Sequence, residues 1–111
     1  MTAVSGTPLP AVFFGHGSPL NALGGNRYAD AWRAFGARVR PRAILVVSAH
    51  WYAAGTRVTA SARPRTNHDF VSFKGPVTGL VYPAPGDVAL ARRVCELLDP
   101  VPVALDEHWG F

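Results

Sequence analysis

A single cysteine, Cys95, occurs in the 111 residues, which excludes an internal disulfide and any cysteine-based zinc module. It falls in an apolar helical pattern, where a small packed hydrophobe is expected rather than a nucleophile. No stretch approaches the ~18 consecutive apolar residues of a membrane span. Residues 1–10 lack the basic-then-apolar order of a secretory signal, so a cytoplasmic location and no membrane partner are expected. Acidic residues are few, 7 against 11 basic, giving a net charge of +4, and all but one of the basic residues are arginine. The arginines are scattered, with no aromatic-interleaved motif and no continuous helical stripe, so no nucleic-acid partner is expected. Charged residues make up 16% and hydrophobic ones 49%, a balance that excludes disorder and supplies a core for at most one small domain.

The apolar residues fall into short blocks. Ala11-Val12-Phe13-Phe14 and Ala43-Ile44-Leu45-Val46-Val47 are continuous runs, too short and, in the second, too β-branched for helices, and read as buried strands. Between them Tyr28, Trp32, Phe35 and Val39 recur at helical spacing until Pro41 stops the helix. Strand, helix and strand in this order predict a βαβ unit, and non-alternating strands predict a parallel sheet covered on both faces. The expected fold is therefore α/β, a three-layer core with a mostly parallel sheet. Residues 57–60 are expected to add a short edge strand, and 63–85, rich in proline, glycine and asparagine, a long loop of the kind that lines a site. Asp87 caps a second helix in which Val88, Leu90, Ala91, Val94, Leu97 and Leu98 share a face. A further strand is expected over 101–105.

Two histidines follow the apolar runs directly. His16 stands in Phe14-Gly15-His16-Gly17-Ser18-Pro19 and His50 in Val47-Ser48-Ala49-His50-Trp51. Open α/β sheets place ligands at the carboxyl edge of parallel strands, and neighbouring strands lie ~4.8 Å apart. Two imidazoles leaving adjacent strand ends can then share one ion at ~2.1 Å from each nitrogen. The competing reading is two polar residues that merely finish their strands. A serine hydrolase is disfavoured, because Pro19 and Leu20 follow Ser18 where a nucleophile elbow needs a glycine.

Residues 13–21, Phe-Phe-Gly-His-Gly-Ser-Pro-Leu-Asn, and 46–51, Val-Val-Ser-Ala-His-Trp, resemble the two metal-ligand motifs of the 4,5-DOPA extradiol dioxygenase group of class III (LigB-type) ring-cleavage enzymes. His68-Asp69-Phe70, Tyr82-Pro83-Ala84-Pro85-Gly86 and Trp109-Gly110-Phe111 extend the resemblance in order along the chain. It implies that residues 1–111 form the amino-terminal part of a catalytic domain, incomplete by itself. His16 and His50 would be metal ligands for one mononuclear Fe(II) or Zn(II). The substrates would be a catechol-type molecule and O2, with ring opening beside the diol. A third ligand and an acid/base histidine are expected beyond residue 111, which leaves this chain inactive alone. The alternative is a non-catalytic remnant, or a split subunit that needs a partner for the remaining ligands. His68, Asp69, Phe70 and Tyr82 are expected to bind substrate. For His68 a loop role capping backbone groups stays open, for Asp69 a turn, and for Phe70 and Tyr82 core packing. His108 matches no histidine of the family and is expected on a surface loop.

Overall fold

The computed structural model describes residues 6–68 and 75–111. The chain forms two compact units, Met1–Arg42 and Ala43–Phe111, each described by itself.

In the first unit a short 3-10 turn, Pro19–Leu23, precedes helix α1, Arg27–Arg38. The helix starts where Asn26 adopts an extended backbone and its side chain accepts from the Tyr28 and Ala29 amides, both at 3.0 Å. Such a cap contributes about 0.5–2 kcal/mol by satisfying amides that lack helical partners. Asp30 in the first turn and Arg38 in the last complement the helix dipole. Of the expected apolar face, Trp32 and Phe35 pack: the Phe14 ring meets them at 6.4 Å and 6.0 Å, both edge-on, whereas Tyr28 is exposed.

The second unit contains a βαβ arrangement. Strand β1, Thr56–Thr59, leads eventually to helix α2, Val88–Leu98, and then to strand β2, Val103–Asp106. The strands pair in parallel, with Thr56 opposite Val103 and Thr59 opposite Asp106. The helix packs on both of them and buries Ala91. Asp87 caps α2 as expected, accepting from the Leu90 amide at 2.8 Å. Half-buried Cys95 faces β2, its sulfur 3.9 Å from the Val103 carbonyl. An α/β fold with parallel pairing is thus observed.

The strand assignment needs one correction. Residues 11–14 and 43–47 form no ladder among the described residues, and the pairing is made instead by 56–59 and 103–106. Apolar runs reveal a tendency to be buried, whereas a strand also requires a backbone partner at its edge. Ile44 to Val47 remain exposed, Val47 at 96%.

Beyond β1 the chain stays flanked on two sides. The Ala60 amide donates to the Asp106 carbonyl, Phe111 to Arg65, and Asn67 to Phe111, so 60–67 continues beside 106–111. On the other side the Gly86 amide donates to Ala62. Two glycines make this close approach possible. A Cβ on Gly86 would overlap the Ser61 carbonyl, and one on Gly110 would overlap the Arg65 carbonyl. A short 3-10 turn, Pro76–Gly79, buries Val77.

Candidate functional site

His16 lies in the first unit, at a bend that Gly17 makes with φ of 61°, a region that glycine enters without steric cost. The Gly17 carbonyl lies 3.0 Å from His16 Nδ1. A carbonyl only accepts, so Nδ1 is the donor in this contact. The loop is tied to α1 through side chains: Asn21 Nδ2 donates to the His16 carbonyl at 2.8 Å, and Asn26 Nδ2 donates to Asn21 Oδ1 at 2.9 Å. The helix cap therefore also anchors the backbone of the histidine.

His50 lies in the second unit, in a turn where its amide donates to Ser48 Oγ at 3.1 Å. The next residue, Trp51, stacks on Trp109 with centroids 5.4 Å apart and planes within 3°. Two of the family-like motifs, around His50 and around Trp109, are thereby brought together.

His68 and Tyr82 stand on segments held side by side. His68 Nε2 donates to the Leu80 carbonyl at 2.7 Å. The Tyr82 amide donates to Thr66 Oγ1 at 2.8 Å, and that hydroxyl donates to the Tyr82 carbonyl at 3.3 Å. His68 thus does cap a backbone group, while Tyr82 is 57% exposed and lines a groove rather than a core. Asp69 and Phe70 lie outside the described residues.

Thr66 and Asp106 carry roles that the sequence did not signal. Asp106 Oδ1 accepts from the amides of His108 at 2.9 Å and Trp109 at 2.8 Å, and Arg57 donates to Oδ2 at 3.3 Å. The Trp109 and His108 amides, followed by Arg57, hold its carboxyl below the usual aspartate value. These bonds fix the turn that delivers Trp109 to Trp51. An aspartate three residues before an aromatic is its only trace in the sequence.

Among the described residues no three or more histidine, cysteine, aspartate or glutamate side chains gather as a metal-binding group, and no helix is long and apolar enough to cross a membrane.

A protein of Escherichia coli (strain K12) named 4,5-DOPA dioxygenase extradiol is 53% identical to this chain over 110 residues, which is 97% of the chain and 41% of that protein. A protein of the same name from Portulaca grandiflora is 35% identical over 106 residues, covering 89% of the chain and 39% of the relative. Dioxygenase tasH of Hapsidospora irregularis is 30% identical over 96 residues, 76% of the chain and 30% of the relative. The chain spans about two-fifths of the length of the first two of these curated relatives. No family model matches it, and neither does any solved structure. Over the stretch these matches cover, the proteins named 4,5-DOPA dioxygenase extradiol are homologues of this chain.

Proposed function

We propose that this chain is part of a non-haem, metal-dependent extradiol dioxygenase that opens a catechol-type ring with O2. The match of nearly the whole chain to the Escherichia coli 4,5-DOPA dioxygenase extradiol carries this reading. His16 and His50 are its two metal ligands, for Fe(II) or Zn(II). When bound, the metal supplies the positive charge that acidifies the catechol hydroxyls and holds both reactants together.

The chain's own residues contribute orientation. The Gly17 carbonyl fixes the His16 tautomer, and the Asn21–Asn26 relay holds the histidine's backbone on α1. Ser48 holds the turn of His50. His68, Asp69, Phe70 and Tyr82 bind the substrate, with Tyr82 offering its ring face to an aromatic ligand. A two-imidazole donor set grips Fe(II) weakly compared with a three-ligand facial site, so the 111-residue chain by itself turns over little catechol.

A chimera tests the reading: residues 1–111 replace the matching stretch of the Escherichia coli relative. Oxygen uptake with a catechol, abolished by His16→Ala or His50→Ala, is expected. A folded chimera that takes up no oxygen, or one indifferent to both substitutions, overturns it.

A further inference from the structure

Residues 109–111 hold the neighbours of two histidines in the second unit. On one side Trp109 stacks on Trp51, which directly follows His50. On the other side Asn67, which directly precedes His68, is bonded to the same turn twice. Its Nδ2 donates to the Gly110 carbonyl at 3.0 Å, and its amide donates to the Phe111 carbonyl. The Phe111 amide donates back to the Arg65 carbonyl at 2.8 Å. The turn comes this close because residue 110 has no side chain: a Cβ there would overlap the Arg65 carbonyl. Asp106 ties the turn to the end of β2 through the His108 and Trp109 amides, and to β1 through Arg57.

We propose that the 109–111 turn is a bracket that fixes the His50 and His68 segments relative to one another. Trp109 is the positioning residue for His50, and Asn67 is the positioning residue for His68. The chemical roles of the two histidines rest on the dioxygenase reading; the bracket itself does not. On that reading His50 holds the metal and His68 the substrate, so the bracket sets the placement of the ring against the ion. A misplacement of about 1 Å between reacting groups can lower a rate about a hundredfold.

Backbone nitrogen relaxation of the metal-free 111-residue chain tests the bracket. In the parent the His50 and His68 amides are expected to have order parameters of about 0.85, as rigid backbone does. Trp109→Leu is expected to bring His50 alone below about 0.6, and Asn67→Ala to do the same to His68 alone. Trp109→Phe, which keeps an aromatic face for Trp51, restores His50. Asp106→Ala undoes the turn and loosens both. Helix α2 stays rigid throughout, which separates loss of the bracket from loss of the fold. Parent amides already mobile at the two histidines, a variant that leaves its own histidine rigid, or loosening that spreads equally to α2 overturns the proposal. In the chimera, Asn67→Ala is expected to raise KM for the catechol about fivefold with Zn(II) affinity unchanged, the ratio that one hydrogen bond supplies. Trp109→Leu is expected instead to weaken Zn(II) binding by about the same factor. An active chimera in which both substitutions change both quantities alike overturns the positioning roles. A chimera that takes up no oxygen overturns the dioxygenase reading, while the order parameters, read without metal or substrate, still decide the bracket.

Discussion

Trp51 stacks face to face on Trp109, 5.4 Å between centroids, although 58 positions separate them in the sequence. The contact locks the residue after His50 to the turn that Asp106 builds at the end of β2. Its energy can be isolated by a double-mutant cycle with Trp51→Leu and Trp109→Leu, followed by urea denaturation. A coupling of about 0.5–1.5 kcal/mol is expected, the usual value for an aromatic pair beyond its buried area. Additive effects would mean that the stack contributes nothing specific.

Glycines 86 and 110 are expected to be intolerant of a side chain. Alanine at either position drives a Cβ into a backbone carbonyl of the 61–65 segment, and backbone cannot step aside cheaply. Gly86→Ala and Gly110→Ala should each cost about 1–3 kcal/mol or more. Gly36 sits inside α1 with open space around its Cβ position, so Gly36→Ala should instead stabilise by about 0.5–1 kcal/mol. Chemical denaturation of the three variants separates the two classes.

Asp106 makes stability depend on pH with a definite sign. Its carboxyl is held below the ordinary value of 3.8, so the ionised form is favoured in the folded state. The stabilisation is present above that value and is lost as the pH falls through the lower folded one. Asp106→Asn keeps one side-chain oxygen for the His108 and Trp109 amides but removes the charge. The variant should be less stable than the parent at neutral pH, and the gap should close on acidification. Urea midpoints at a series of pH values give the answer; a gap that widens in acid would contradict the assignment.

How much of this was legible depended on whether the signal was local. Asp87 with its following apolar face announced α2, and Tyr28, Trp32 and Phe35 announced α1, because caps and helical spacing act within a few residues. Strand β2 was visible as an apolar block. Residues 43–47 carried the same kind of signal yet form no ladder among the described residues, since hydrophobicity names no backbone partner. The short edge strand expected over 57–60 is present at Thr56–Thr59 and is the one that pairs with β2, although it is polar and exposed in half its length. The stretch that carries the two histidine motifs matches proteins named dioxygenases. Long-range supports such as Thr66 on Tyr82, or Asp106 under Trp109, had no local signature beyond a small polar residue in a loop.

Nitrogen NMR of the histidine side chains during a Zn(II) titration tests the central claim most directly. If residues 16 and 50 ligate one ion together, both imidazoles shift in parallel and saturate at one equivalent, with the larger change for His16 at Nε2, because Nδ1 is committed to the Gly17 carbonyl. His108 should stay unchanged. Shifts that saturate separately, or a response from only one of the two rings, would contradict the account.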